Sequence, residues 1–260
     1  MSDHGRFIWY ELATSDVAGA KAFYPGLMGW DVDETSGAAM DYTIVGPGGV
    51  GVGGIAKLQA DMAAAGVPPH WLGYVAVDDV DAAAAKVTAL GGAVQVGPMD
   101  IPGIGRFAVI ADPTGAAIAV MTPVPPQTPR PQLGLDAPGN VGWHELYAGD
   151  LEKAFAFYAA LFGWKKDSDM DMGPMGVYRV FDEGEHKEMG DGGMMTKAPH
   201  MPVSSWNFYF NVDSIKAACE RVKAEGGKVL NGPMQVPGGS WIIQGQDPQG
   251  AMFSLVSRDE

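Results

Sequence analysis

The sequence of 260 residues contains two copies of one long repeat, and this duplication constrains its fold more than any other feature. Trp9-Tyr-Glu-Leu returns 134 residues later as Trp143-His-Glu-Leu, and Asp112-Pro-x-Gly returns 135 residues later as Asp247-Pro-x-Gly. A repeat of this length is a whole domain, because solenoid units are much shorter. We therefore expect one pocket design used twice, with function residing where the two copies differ.

A proline-rich segment separates the copies. Residues 123–139 contain six prolines and no periodic pattern, which is typical of a semi-rigid linker. The chain is accordingly predicted to hold one domain at 1–122, the linker at 123–139 and a second domain at 140–260.

Each half shows the same order of predicted elements. A strand around residues 6–13 is followed by a helix that ends at Gly29, three short strands, a strand at 70–77, an Ala-rich helix at 79–90 and three more strands. Pro25 is expected to kink or shorten the first helix, and residues 59–69 are expected to form a loop over the first cavity. This order predicts an α+β fold with a curved sheet and external helices.

Composition excludes several classes of function. Hydrophobic residues make up 47% and charged residues 18%, as in globular proteins, and no apolar run approaches the roughly 18 residues of a membrane span. The net charge is −14 with scattered Lys and Arg, so nucleic acid is not an expected partner. A single cysteine and a start without an apolar signal segment favour the cytoplasm.

The motif order resembles the vicinal oxygen chelate superfamily, which includes glyoxalase I, bleomycin-resistance proteins and extradiol dioxygenases. The resemblance is carried by Asp16, Phe23-Tyr24, Gly29-Trp30 and Asp112-Pro-x-Gly with their counterparts, and it covers nearly the whole chain twice. Within this superfamily, the sequence most resembles the tandem glyoxalase-like proteins of bacteria. The resemblance implies tandem βαβββ-βαβββ half-open barrels, each enclosing a cavity in which family enzymes hold a divalent metal through His, Glu or Gln.

The residues at the metal-ligand positions that the resemblance implies are poor donors. An indole N–H offers no lone pair to a cation, and catalytic sites need about three protein ligands. Shifting the alignment with the family by one residue, so that His70 or His144 took a ligand position, would place that side chain on the other face of the strand. We therefore expect no metal and no cofactor in either copy. The implied positions are Trp9, Leu72, Ala119 and one within 55–57 in the first copy, and Trp143, Asn207, Ser254 and one within 194–196 in the second.

Alternate residues of a strand share one face of the sheet, and this alternation predicts which residues line the two cavities. The first cavity is expected to be mainly apolar and the second to be rich in amides and hydroxyls. No residue is assigned firmly to catalysis; the candidates are Glu11 and Glu145 as bases with Tyr74 and Tyr209 as acids. Alternatively, the glutamates bond backbone N–H groups near the next helix, and the tryptophans fill the space of a metal or stack on a planar ligand. The candidate ligand-binding residues are Trp9, Glu11, Leu72, Tyr74, Trp143, Glu145, Asn207, Tyr209, Asn211 and Ser254.

Three hypotheses about function remain open. The leading one is a metal-independent small-molecule binding protein of the glyoxalase/bleomycin-resistance type that holds an aromatic or amphipathic metabolite. The second is an enzyme, a lyase, isomerase or hydroxylase-like protein using Glu/Tyr acid-base chemistry. The third is an interaction protein with filled cavities. The expected partner is a small molecule, and the chain is expected to be a monomer or homodimer.

Overall fold

A computed structural model describes residues 3–34, 42–125, 133–184 and 190–260. Residues 126–132 of the expected linker lie outside these ranges. The first half contains β1 (Phe7–Thr14), α1 (Val17–Met28), β2 (Asp31–Asp33), β3 (Thr43–Gly46), β4 (Gly53–Lys57), α2 (Ala60–Ala64), β5 (His70–Ala76), α3 (Val80–Ala89), β6 (Ala93–Ile101), β7 (Gly105–Ala111) and β8 (Ala117–Pro123).

The second half repeats this order, except that no counterpart of α2 lies among its described residues. It contains β9 (Val141–Ala148), α4 (Leu151–Phe162), β10 (Lys165–Asp171), β11 (Val177–Asp182), β12 (Gly192–Thr196), β13 (Ser205–Asn211), α5 (Ile215–Ala224), β14 (Lys228–Gln235), β15 (Trp241–Gln246) and β16 (Met252–Ser257). The predicted fold class is confirmed: two tandem β-rich halves with mixed, half-open sheets.

Local chemistry explains where the first helix of each repeat begins and ends. The carboxylates of Asp16 and Asp150 cap α1 and α4 by accepting a hydrogen bond from a backbone N–H three residues on. Gly29 ends α1 in the left-handed conformation that favours glycine, with φ at 69°.

The structure differs from two expectations about local structure. Pro25 does not shorten α1, which has 12 residues like α4, and its carbonyl oxygen accepts the closing hydrogen bonds from Gly29 and Trp30. The segment 59–69 is not all loop, because it contains α2.

The chain forms two compact units, each containing segments from both halves of the sequence. Unit 1 comprises Met1–Ile8, Gly73–Thr128 and Trp143–Trp206, and unit 2 comprises Trp9–Leu72, Pro129–Gly142 and Asn207–Glu260. The domain boundaries expected from the sequence stay a prediction. No helix in the described ranges is both long and apolar enough to cross a membrane.

Each unit holds two runs of four strands. Unit 2 has the orders β2-β3-β4-β1 and β13-β16-β15-β14, and unit 1 has β10-β11-β12-β9 and β5-β8-β7-β6. In unit 2, β1 pairs in parallel with β4 and β13 in parallel with β16; in unit 1, β9 pairs in parallel with β12.

Buried aromatic side chains connect the two repeats inside each unit. In unit 2 the indole of Trp71 donates to the hydroxyl of Tyr24 at 3.1 Å, and this hydroxyl donates to the Asp247 carboxylate at 2.9 Å. In unit 1 the indole of Trp206 donates to the Tyr158 hydroxyl at 3.0 Å. Burial, followed by the charge of Asp112, raises the pKa of Tyr158. The Asp-Pro-x-Gly turn of one repeat thus lies against the first helix of the other.

Candidate functional site

Three side chains form a hydrogen-bonded group in unit 1, called here the Trp–Tyr–Glu group: Trp143, Tyr178 and Glu145. The indole Nε1 of Trp143 donates to the Tyr178 hydroxyl at 2.8 Å. That hydroxyl donates to Oε1 of Glu145 at 3.1 Å. Glu145 and Tyr178 are buried, with 7% and 9% of their surface exposed, whereas Trp143 is half-buried.

A glycine on the intervening strand allows Tyr178 to reach this position. Strand β12 lies between β9 and β11, and Gly193 of β12 is paired with Glu145 of β9. A Cβ atom added to Gly193 would lie within 3.0 Å of the Tyr178 ring, closer than real Cβ contacts allow. The ring of Tyr178 therefore lies across the bare backbone of β12 and brings its hydroxyl to β9.

The surroundings keep Tyr178 protonated. Burial raises the pKa of Tyr178 well above its ordinary value, and the neighbouring Glu145 carboxylate raises it further. At neutral pH the hydroxyl is thus a donor to the carboxylate and an acceptor from the indole. Chemically, the group places a carboxyl group beside an aromatic ring.

The first repeat builds the indole–tyrosine contact and the glycine crossing again in unit 2. The indole of Trp9 donates to the Tyr42 hydroxyl at 2.7 Å. Gly54 pairs with Glu11 across β1 and β4, and a Cβ atom at Gly54 would collide with the Tyr42 ring. The Trp-x-Glu motif at the start of each repeat therefore comes with a tyrosine and a glycine that are far from it in sequence.

Sequence reasoning missed Tyr42 and Tyr178. A signal was present: each repeat has a tyrosine at the start of its third strand and a Gly-Gly pair at the start of the fourth, Gly53-Gly54 and Gly192-Gly193. These pairs were not singled out because a glycine pair by itself indicates a turn as readily as a place where a side chain crosses a strand.

The other residues predicted to bind a ligand each have their own surroundings in the structure. Tyr74 is buried with its ring 6.3 Å from that of Phe107. Tyr209 is buried and its hydroxyl accepts a hydrogen bond from Gln244 at 3.0 Å. Ser254 pairs with Tyr209 across neighbouring strands, while Leu72 and Asn207 are half-buried.

Asn211 and Glu145 each have a defined hydrogen-bond partner. The Asn211 amide donates to the carbonyl oxygens of Leu135 and Ala137, at 2.6 and 3.3 Å, and so holds the segment before the second repeat. One oxygen of the Glu145 carboxylate accepts the hydrogen bond from the Tyr178 hydroxyl.

The residues at the implied metal positions do not fit a divalent cation. The ring N–H groups of Trp9 and Trp143 are donors, and both are directed at tyrosine oxygens. The side chain of Ala119 has no atom that could bind a metal ion. His144 is part of the core, stacked on Phe7 at 3.9 Å with Nδ1 2.9 Å from the Asp191 carbonyl oxygen. Within 3–34, 42–125, 133–184 and 190–260, no three His, Cys, Asp or Glu residues are grouped so as to hold a metal ion.

Taken together, the tandem βαβββ units define a duplicated protein of the glyoxalase-like fold class. The family model of the Glyoxalase/Bleomycin resistance protein/Dioxygenase superfamily matches residues 6–120 and again 140–255. The chain belongs to this superfamily.

Several relatives are similar to it nearly end to end. CFP32 of Mycobacterium tuberculosis, named as a candidate glyoxylase, is 36% identical over 95% of this chain and 93% of its own length. The anthracycline biosynthesis proteins DauV of Streptomyces sp. (strain C5) and DnrV of Streptomyces peucetius are each 34% identical over 97% of this chain and 93% of their own length.

Solved structures with the same fold are more distant in sequence. The Mn(II)-bound glyoxalase from Novosphingobium aromaticivorans is 17% identical, with a TM-score of 0.69 over 100% of this chain and 84% of that one. The 2,3-dioxygenase LapB from Pseudomonas sp. KL28 is 14% identical, with a TM-score of 0.65 over 99% and 93%. At these identities the likeness establishes the fold alone.

Proposed function

We propose that this protein is a metal-independent small-molecule binding protein of the glyoxalase/bleomycin-resistance type that holds a planar aromatic metabolite. One observation carries the proposal: where the resemblance puts the first metal ligand of each repeat there is an indole, hydrogen-bonded to a tyrosine, at 2.7 Å in one copy and 2.8 Å in the other. An indole offers a flat apolar face to a flat ligand and no lone pair to a cation.

The relatives support an aromatic ligand. Two of them are named for the biosynthesis of anthracyclines, which are planar polycyclic aromatic compounds. Trp143 remains half-buried, so part of its surface is accessible, and Glu145 places a carboxylate beside it. Such a site would bind a flat ring by stacking and a polar substituent by hydrogen bonding.

A second candidate function is a metal-independent enzyme, a lyase, isomerase or hydroxylase-like protein. The contact that favours it is the hydrogen bond of 3.1 Å between the Tyr178 hydroxyl and the Glu145 carboxylate. A carboxylate that accepts a proton and a tyrosine that holds one are the two components of acid-base chemistry, and here they already lie within hydrogen-bonding distance.

Calorimetric titration with 2-hydroxyanthraquinone tests the proposal, with product analysis of the same mixtures by mass spectrometry. We expect saturable binding in the presence of a chelator and no product. Glu145→Gln and Tyr178→Phe should each weaken binding about tenfold, which corresponds to about 1.4 kcal/mol. Glu225→Gln, an exposed change at the end of α5, is the matched control.

Two outcomes would decide against the binding protein. Metal-free turnover that is lost in Glu145→Gln while affinity is kept would establish the enzyme instead. Stoichiometric Mn, Fe, Ni or Zn in the purified protein, with binding or turnover abolished by its removal, would overturn metal independence.

A further inference from the structure

A row of large side chains lies beside the Trp–Tyr–Glu group in unit 1. Tyr178 of β11 pairs with Met170 of β10 on one side and with Met195 of β12 on the other, and Met195 pairs in turn with Tyr147 of β9. Residues directly opposite each other on neighbouring strands share a face of the sheet. These four side chains, called here the thioether–phenol row, therefore form one continuous surface.

This surface faces away from α4. Arg179, the neighbour of Tyr178 in sequence, donates two hydrogen bonds of 2.9 Å to the carboxylate of Glu152 on α4. Successive side chains of a strand point to opposite faces, so Tyr178 and the rest of the row lie on the other face. The same face carries Trp143 and Glu145, because both are hydrogen-bonded to the Tyr178 hydroxyl.

Tyr147 lies close to the Trp–Tyr–Glu group. It follows Glu145 by two residues and Trp143 by four on β9, so the three side chains share one face. Burial is the largest cause of the raised pKa of Tyr178, and the nearby phenol of Tyr147 is the smallest. The row thus extends the site to which Trp143 and Glu145 belong.

Part of the row remains in contact with water. Tyr178 is buried, whereas Met170, Met195 and Tyr147 are half-buried. Apolar surface exposed to water is unfavourable, so a molecule that covers it is stabilised. Thioethers and phenol rings both make favourable contacts with aromatic rings, so the surface suits an aromatic molecule.

In unit 2 the corresponding side chains are small. Ala13 stands 134 residues before Tyr147, and it pairs with Ala56 of β4 in the place that Met195 occupies on β12. Both alanines are half-buried. Because the first repeat forms the same pair of strands with alanines, the large side chains of the second repeat are not needed to form the sheet.

The glutamates of the two copies differ in burial. Glu145 is 7% exposed, whereas its counterpart Glu11 is half-buried. Hydrogen bonds are stronger where the local dielectric is low, so a shielded carboxylate is the better partner for a ligand. Unit 1 therefore offers both more apolar contact surface and a better shielded acceptor than unit 2.

The spacing along β9 indicates the size of the ligand. Trp143 and Tyr147 are four residues apart, which is about 13 Å along a strand that rises about 3.3 Å per residue. A single benzene ring is too short to contact both side chains, whereas several fused rings can do so. The site is therefore matched to a polycyclic molecule.

We infer that unit 1 binds the ligand in preference to unit 2, and that Tyr147 and Met195 determine this preference by contacting one end of a fused polycyclic aromatic molecule. The other end lies against Trp143. In unit 2, Ala13 and Ala56 leave the corresponding end of such a molecule without contacts. This inference rests on the proposed function and adds to it the ligand class and the preferred copy.

Calorimetric titration of the full chain with 2-hydroxyanthraquinone, which has three fused rings, tests the inference. We expect the wild type to bind one equivalent about tenfold more tightly than any second one, and Tyr147→Ala with Met195→Ala to weaken that equivalent about tenfold. The converse variant, Ala13→Tyr with Ala56→Met, should bind a second equivalent as tightly as the first. Met252→Ala, which removes an exposed methionine of unit 2, is the control and should leave binding unchanged.

The outcomes separate the two proposals. If the probe does not bind the wild type, the proposed function falls and this inference with it. If the wild type binds two equivalents equally, or if the Tyr147→Ala, Met195→Ala variant keeps its affinity, the proposed function stands and the preference for unit 1 is wrong. Thermal unfolding checks that each variant is folded. Should the first variant unfold, the converse variant decides, because the absence of a second tight equivalent would overturn the inference.

Discussion

The indole Nε1 of Trp164 donates a hydrogen bond of 2.6 Å to the carbonyl oxygen of Gly5, which lies 159 residues earlier in the chain. Trp30 makes the corresponding bond of 2.7 Å to Gly139, just before the second repeat. The Gly-Trp motif that follows the first helix of each repeat therefore secures the entry of the chain into the opening strand of the other repeat. Both indoles are buried, so these bonds form away from water.

Replacing either indole should destabilise the unit that contains it. Trp164→Phe or Trp30→Phe leaves a buried carbonyl without its donor, and we expect a loss of about 1–3 kcal/mol in the free energy of unfolding. Urea unfolding followed by circular dichroism measures it. Trp241→Phe on β15, where the ring is half-buried, is the control and should change stability less. Equal losses in all three variants would contradict a specific role for the motif.

The Tyr24–Asp247 hydrogen bond should be a measurable link between repeats. Tyr24→Phe, Asp247→Asn and the double variant form a thermodynamic cycle, and we expect a coupling free energy of about 1.5–3 kcal/mol because the acceptor is a buried carboxylate. Strictly additive effects would show that the bond contributes nothing beyond the separate packing of its two members.

Gly193 should not tolerate a side chain. The Cβ atom of Gly193→Ala would collide with the Tyr178 ring, so we expect a loss of about 1–3 kcal/mol in unfolding free energy and weaker binding of 2-hydroxyanthraquinone. In a Tyr178→Ala background the same change should cost much less, because the ring is gone. Gly26→Ala, where an added Cβ meets nothing within 4 Å, is the control.

Acid should weaken the folded state through Asp169. Hydrogen bonds from Arg179 lower the pKa of Asp169 from 3.8 to about 2. Because the folded pKa lies below the unfolded one, the stabilisation is present above about pH 4 and is lost as the pH falls towards 2. Chemical unfolding at several pH values should show that the free energy of unfolding falls less steeply below about pH 4 in Asp169→Asn than in the wild type. A dependence on pH in Asp169→Asn as steep as that of the wild type would argue against the pair.

Much of the fold follows from local features of the sequence. Asp16 and Asp150 mark the helix starts, Gly29 and Gly163 mark the ends, and strand parity puts Trp143 and Glu145 on one face. The family model confirms the duplicated glyoxalase-like fold that the motif order predicts. These features act over a few residues, so they can be recognised without knowing what lies across the sheet.

The amino-acid sequence by itself determined the duplication, the order of helices and strands and the poor donors at the implied metal positions. Only the tertiary structure decided which residues meet across the strands: Tyr178 reaching Glu145 over Gly193, and Gln244 held between Tyr209 and Asn231. The physical reason is register. Neighbours on adjacent strands are set by hydrogen-bond pairing between segments far apart in the chain, and no local propensity specifies that pairing.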